Sequence, residues 1–142
     1  MRNITKASIG IPVAGIVTLL FTPVALAATA QITGTESGSV KPVAVGECRN
    51  DGGACDVATG KTLTSEVNSS VGMDVKAFNA TFGTSYSESF TVTTGCHESK
   101  MRKGEVLVVF PRGDFVTFRD SSGTPGSAFF PNGIQCERRS DW

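Results

Sequence analysis

The stretch EVLVVFPRGDFVTFR, residues 105–119, is the densest run of apolar side chains in the sequence after residue 27. Its first six residues are nearly all apolar, which is typical of a strand covered on both faces. Pro111-Arg112-Gly113-Asp114 has the composition of a β-turn, and residues 115–119 predict a second strand. We therefore predict a hairpin closed by Phe110 and Phe115. Four side chains of this hairpin are expected to lie in the core: Leu107, Val109, Val116 and Phe118.

The sequence after this hairpin predicts further short β-elements. Residues 121–127, rich in Ser, Gly and Pro, predict a loop, and residues 128–130 predict a short strand. Asn132-Gly133 predicts a turn ahead of Cys136.

Upstream, residues 71–92 alternate between apolar and polar positions. The apolar side chains fall on odd positions in residues 71–77 and on even positions from Phe78 to Val92. This one-residue phase change indicates a β-bulge or tight turn at residues 77–79, so we predict no helix in the mature chain. Residues 28–42, rich in Thr, Gly and Ser, predict a flexible lead-in to a domain of residues 43–142.

Residues 1–27 have the pattern of a secretory signal peptide. Arg2 and Lys6 give a cationic start, and residues 9–21 form a mostly apolar stretch that is too short to span a bilayer stably. Ala25-Leu26-Ala27 supplies small residues at the recognition positions of a signal peptidase. The pattern predicts a secreted, extracellular protein of bacterial type.

Cleavage before Ala28 or before Gln31 leaves about 115 residues, enough for one domain with a modest core. Without Arg2 and Lys6 this mature chain has 11 basic and 13 acidic residues, a net charge of about −2. It contains no basic block of the kind that holds phosphate backbones, so nucleic acid is not an expected partner.

The cysteines predict two disulfides. All four lie in the mature part, and an even number in a small exported domain indicates bridges formed in an oxidising compartment. Three pairings are possible. We favour Cys48 with Cys55, because residues 49–54 are turn-forming and can fold the chain back, which leaves Cys96 with Cys136. The predicted fold class is all-β: a single small antiparallel sheet or sandwich domain with two disulfides behind a signal peptide.

No residue pattern indicates catalysis, and none indicates a metal or cofactor site. His97 is the only histidine, and the sequence lacks the Gly-x-Ser-x-Gly elbow of a Ser-His-acid hydrolase. The cysteine spacings match no zinc pattern, and exported thiols oxidise before they coordinate metal. We therefore expect no enzymatic activity, no catalytic residue, no cofactor and no metal.

Several short patterns have simple structural explanations. Asp114 with Asp120, and Glu98 with Glu105, are acids on predicted hairpins and loops, where carboxylates usually serve solubility and edge protection. The tripeptide Arg112-Gly113-Asp114 matches the integrin-recognition sequence, yet the same residues suit a four-residue turn.

A weak calcium site is an alternative interpretation of the loop between Cys48 and Cys55. Asn50, Asp51 and Asp56 lie around Gly52-Gly53, but their spacing fails the EF-hand pattern. A turn closed by a disulfide already accounts for these residues.

Residues 59–94 combine many hydroxyl side chains with a thin apolar face: fourteen of these thirty-six residues are Ser or Thr. With SFTVTT at 89–94 and KGEV opening an apolar strand at 103–106, residues 59–119 resemble the Ser/Thr-rich stem region of aerolysin-like β-pore-forming proteins. They also resemble small secreted bacterial all-β proteins that share this strand pattern. The resemblance implies strands able to join a membrane barrel and assigns no functional residue, and the chain has no room for the separate receptor-binding part of those pore formers.

Three functions remain open on the sequence. The first is a secreted non-enzymatic binding or structural protein whose sheet or loops engage another protein or a cell-envelope component. The second is a membrane-active protein that inserts a hairpin from residues 59–94. The third is a secreted protease inhibitor, for which residues 96–101 offer a disulfide-held loop, although the cysteine spacing of the bacterial subtilisin-inhibitor family is not found here.

Overall fold

The computed structural model describes residues 29–140, and this part of the chain is mostly β-strand. In chain order its elements are β1 (Gln31–Val40), β2 (Gly46–Cys48), β3 (Cys55–Val57), β4 (Thr62–Thr64), β5 (Glu66–Asn68), α1 (Val75–Phe82), β6 (Ser89–Thr91), β7 (Cys96–Glu98), β8 (Val106–Arg119) and β9 (Pro125–Arg139). The strands pair antiparallel, which confirms the predicted all-β class. The predicted signal peptide, residues 1–27, lies outside the described residues.

One five-stranded sheet organises the fold. Its order is β1-β8-β9-β5, and β2 also pairs with β8. β1 lies along residues 112–119 of β8, whereas β2 lies along residues 107–109. Two small two-stranded sheets, β3-β7 and β4-β6, complete the architecture.

The hairpin predicted within residues 105–119 is wrong, because residues 106–119 form one continuous strand. β8 passes straight through Pro111-Arg112-Gly113-Asp114, and the chain reverses only at residues 120–124. β9 then returns along the whole of β8, so the turn predicted at Asn132-Gly133 is also absent. The reversal overlaps the first part of the predicted loop of residues 121–127, whereas residues 125–127 already belong to β9.

A bulge explains how the turn-like residues fit into long strands. Gly113 pairs with Pro131 and Arg112 pairs with Gly133, so Asn132 is the extra residue of β9. Pro111 lies between the part of β8 that pairs with β1 and the part that pairs with β2. Since proline has no N–H to donate, such a junction beside a bulge tolerates it.

Residues 75–82 form helix α1, which corrects the prediction of a strand with a phase change. The Asp74 carboxylate accepts a hydrogen bond from the Ala77 N–H at 2.7 Å and caps the N-terminus. Gly83 ends the helix in the left-handed conformation, with φ 66°. Val75 and Phe78, three residues apart, point into the core.

Residues 31–40, predicted as part of a flexible lead-in, form the edge strand β1. Most side chains of β1 are exposed, so this strand shows none of the apolar alternation that predicts a half-buried strand. Backbone pairing with β8 fixes its position.

Helix α1 covers an aromatic core on the β8–β9 ribbon. The Phe78 ring, which is fully buried, lies 5.3 Å from the Phe118 ring and 5.1 Å from the Phe130 ring, between centroids. Tyr86 stacks parallel on Phe130, with centroids 3.8 Å apart. Phe118 is therefore a core residue, as predicted, although its packing partners come from α1 and β9. A second cluster surrounds the disulfides and consists of Cys55, Cys96, Met101, Leu107 and Val109.

Both predicted disulfides are present. Cys48 bonds to Cys55 across seven positions of the sequence, and Cys96 bonds to Cys136 across 40. The first closes the loop between β2 and β3. The second fastens β7, and with it the small β3-β7 sheet, to β9 of the main sheet. Two disulfides fit an extracellular location.

Candidate functional site

The Arg-Gly-Asp tripeptide is not displayed on a loop. It lies in the interior of β8, where Gly113 is buried. Burial raises the pKa of Tyr86, and the neighbouring Asp114 carboxylate raises it further by its charge and by accepting a hydrogen bond from the phenol. Asp114 is therefore held against the core, and the tripeptide has a structural role here.

His97 lies on β7, opposite Asp56 on β3. Its Nδ1 is 2.5 Å from the Asp56 carboxylate, and both side chains are more than half exposed, at 62% and 72%. An exposed contact of this kind adds little stability. Asp56 is thus engaged by His97 rather than by the residues of a calcium loop.

The other candidate carboxylates have separate partners. Glu98 forms an ion pair with Arg138 at 2.8 Å, and Glu105 accepts a hydrogen bond from the Arg102 N–H. Asp120 accepts hydrogen bonds from Ser70 and Ser122. Among residues 29–140, no group of three or more His, Cys, Asp or Glu side chains is placed to hold a metal ion. In the same residues no helix has the length and apolar character needed to cross a membrane.

One concave surface of the described residues has a mostly apolar lining and forms a groove. Two adjoining depressions, of about 450 and 340 Å³, share Lys41, Glu66 and Phe129. We call this surface the Phe129 groove. Its first part is lined by Lys41, Val43, Val45, Lys61, Thr62, Leu63, Thr64, Glu66, Pro111, Phe129 and Pro131. Its second part adds Glu36, Ser39, Val40, Pro42, Asn68, Phe115, Ser127 and Ala128.

The register of the strands places the two aromatic residues of the groove, Phe115 and Phe129, side by side. Phe115 on β8 pairs directly with Phe129 on β9, and Glu66 on β5 pairs with Phe129 from the other side. Directly paired residues of antiparallel strands project on the same face of a sheet. Phe129 is nearly buried, at 7% exposure, whereas Phe115 remains 37% exposed. The rim therefore offers apolar surface to a ligand.

An ion pair crosses the groove where its two parts meet. The Lys41 ammonium contacts the Glu66 carboxylate and lies 5.8 Å from the centre of the Phe129 ring. Nearby, the Lys61 ammonium donates to the Val45 carbonyl and ties the two walls together. The groove thus combines an apolar floor with one hydrogen-bond donor group and one acceptor group near its middle.

The wall formed by β4 has an unused backbone edge. β4 pairs with β6 on one side, and no other strand of the described chain pairs with it. All three of its residues line the groove. Unpaired strand edges are templates for an added strand.

Sequence reasoning did not find this groove. It predicted Phe115 as a hairpin-closing residue and placed Lys41 in a lead-in. The sequence feature that could have indicated one wall of the groove is the apolar run at residues 42–45. This run directly follows a polar segment and leads the chain back to the main sheet. The meeting of Phe115 and Phe129 depends on the β8–β9 register, which the predicted hairpin excluded.

Comparisons of the chain with protein-family models, with curated proteins and with solved structures found no match.

Proposed function

We propose that this chain is a secreted, non-enzymatic binding protein that holds an extended peptide segment of a partner protein in the Phe129 groove. The observation that carries the proposal is the free edge of β4 along an apolar groove. A peptide strand can pair with that edge while its side chains enter the depressions over Phe129 and Pro131. This combination of backbone pairing and side-chain pockets is a recurring mode of peptide recognition.

The chemistry of the groove suits a peptide. Val43 and Phe115, 60% and 37% exposed, provide apolar surface whose burial favours association, at about 25 cal/mol per Å² of apolar surface. Lys41 and Glu66 supply a donor and an acceptor for the amide groups of a ligand. The volumes lie in the range of ligand sites, roughly 300 to 1,000 Å³.

The test starts from the disulfide-bonded protein and a displayed library of random peptides. Peptides that bind are measured by calorimetry against the wild type and two variants, Val43→Asp and Val71→Asp. Val43 is 60% exposed on the groove rim, and Val71 is 53% exposed outside the groove, so the two changes are matched in chemistry and in exposure.

We expect Val43→Asp to weaken binding at least tenfold, because a carboxylate cannot be desolvated on an apolar rim at low cost. Val71→Asp should change the affinity less than twofold. If no binding peptide is selected, or if both variants lose affinity equally, the proposal that the Phe129 groove binds a peptide is wrong. Recovery of the bound peptide in cleaved form would refute a non-enzymatic role.

The two alternative functions predict other readouts. A membrane-active protein should release dye from vesicles, and an inhibitor should slow a panel of secreted proteases. In the structure, residues 59–94 form three strands of three residues each and helix α1. Residues 96–98 belong to β7, and Met101 is 1% exposed. Both alternatives therefore require rearrangement, whereas the Phe129 groove is preformed.

A further inference from the structure

A second surface, separate from the Phe129 groove, gathers much of the positive charge of the molecule. It consists of two adjoining depressions of about 770 and 560 Å³ that share Asp51 and Lys103. We call it the basic loop surface. Its lining residues are Arg49, Asn50, Asp51, Gly52, Lys100, Met101, Arg102, Lys103, Gly104, Glu105 and Arg138.

Five of the eleven Lys and Arg residues in positions 29–140 lie here. The two acidic lining residues already accept backbone hydrogen bonds, Asp51 from Gly104 and Glu105 from Arg102. In the described chain the Lys100 and Lys103 ammonium groups form no ion pair. Arg138 is paired with Glu98, and the four other basic residues of the lining outnumber its two acidic ones. The surface is therefore positive in a molecule whose described residues are close to neutral overall.

The loops that carry these charges are fixed in place. The Gly52 N–H donates to the Met101 carbonyl and the Met101 N–H donates to the Gly53 carbonyl, both at 2.8 Å. The Met101 side chain is buried, and the Cys48–Cys55 disulfide closes the neighbouring loop. A ligand that binds here has to order only the side chains, which lowers the entropy cost of association.

We propose that the basic loop surface binds a phosphate-bearing polymer, one that repeats phosphate groups along a hydrated chain. Arginine pairs with phosphate oxygens through two parallel hydrogen bonds, and lysine provides a compact positive charge. Met101 is the one large apolar residue of the lining, and it is buried. A lining of charged and polar residues suits hydrated phosphates better than acyl chains or stacked bases, so we commit to a polymer rather than a membrane. This inference does not depend on the peptide groove.

The test measures binding of long-chain inorganic polyphosphate to the full disulfide-bonded protein by calorimetry at several salt concentrations. We expect binding that weakens steeply with salt, because cations are released from the polymer. Lys103→Glu should weaken it at least fivefold and lower the salt slope by about one. Lys76→Glu, on the exposed face of α1, makes the same change in net charge and should alter the affinity less than twofold.

Three other outcomes would contradict the proposal. Equal losses in Lys103→Glu and Lys76→Glu would show attraction by net charge alone and would overturn the site. Binding to phosphatidylglycerol vesicles but not to polyphosphate would assign the surface to a membrane and overturn the polymer. Binding of orthophosphate as tight, per phosphate, as that of the polymer would also overturn it. Val43→Asp should bind polyphosphate like the wild type, so failure of one proposal is distinguishable from failure of the other.

Discussion

Asp120 is a buried carboxylate that holds the reversal between β8 and β9. It is 1% exposed and accepts hydrogen bonds from the Ser122 hydroxyl at 2.5 Å, the Ser70 hydroxyl at 2.7 Å and the Thr124 N–H at 3.1 Å. These bonds, the Ser122 and Ser70 hydroxyls first, lower the pKa of Asp120 from its ordinary value of 3.8 to about 2. Asp120 thus supports the loop as an ionised carboxylate.

This lowered pKa makes the stability of the fold depend on pH. A carboxylate with a depressed pKa stabilises the fold above its unfolded-state pKa, and that contribution is lost as the pH falls through the folded-state pKa. The melting temperature should therefore fall as the pH is lowered from about 4 to 2. Asp120→Asn should melt below the wild type at pH 7, and the difference between them should shrink towards pH 2. A constant difference across this range would show that the Asp120 charge is not the cause.

Gly113 permits the close approach of β8 and β9 at the bulge. A Cβ atom at this position would lie 2.1 Å from the Phe130 carbonyl oxygen and 2.7 Å from the Pro131 Cα. Both are backbone atoms, so the strands themselves would have to move apart. The glycine of the Arg-Gly-Asp tripeptide is thus required by the fold.

Gly113→Ala should lower the free energy of unfolding by about 2 kcal/mol or more, the range of overpacked core substitutions. Arg112→Ala, on the neighbouring exposed residue, should cost about 0.5 kcal/mol or less. Urea denaturation of both variants measures the two values. Loss of a cell-binding activity in Arg112→Ala with an unchanged denaturation curve would instead make the tripeptide a recognition element.

At the scale of elements, the β8–β9 ribbon depends on helix α1 for its apolar cover. Phe118, 1% exposed, packs against the rings of Phe78 and Phe82, whose centroids lie 5.3 and 5.4 Å from its own. Phe115, three residues earlier on the same strand, is 37% exposed and lines the Phe129 groove. The same residue type therefore serves the core at one position and the groove at the other.

Phe118→Ala should destabilise the protein by about 3 to 5 kcal/mol, as expected for a truncated buried aromatic residue. Phe115→Ala should cost about 1 kcal/mol or less, since much of its ring already contacts water. Denaturation curves of the two variants test this ranking. Equal losses would mean that Phe115 is as deeply packed as Phe118, and that the groove is not open to a ligand.

The sequence predicted where β-structure occurs better than where the chain turns. The apolar run at residues 105–110 predicts a strand because its burial is local information. Pro111-Arg112-Gly113-Asp114 misleads because turn composition also suits a bulge, and only the partner strand distinguishes the two. Helix α1 was missed although Asp74 and Gly83 are caps nine residues apart. Its alternating apolar residues match both a strand and a short helix over so few positions.

At the scale of the whole molecule, the two disulfides have different tasks. Cys48–Cys55 closes a short loop and holds part of the basic loop surface. Cys96–Cys136 connects the β3-β7 sheet to β9, across a separation of 40 residues. Their pairing was predictable because the turn-rich residues 49–54 bring the first two cysteines together locally. The Phe129 groove was not, since its walls come from segments far apart in the sequence.

Removal of the longer bridge should cost more stability than removal of the shorter one. In the chain-entropy model a bridge stabilises by restricting the unfolded chain, by about 4 kcal/mol for a 40-residue loop and about 2 kcal/mol for a seven-residue loop. The double variant Cys96→Ser with Cys136→Ser should therefore melt well below Cys48→Ser with Cys55→Ser, each measured without reductant. Replacing both cysteines of a bridge leaves no thiol to mispair. Equal melting temperatures would mean that the β3-β7 sheet is held to β9 by packing around Met101 and Val109.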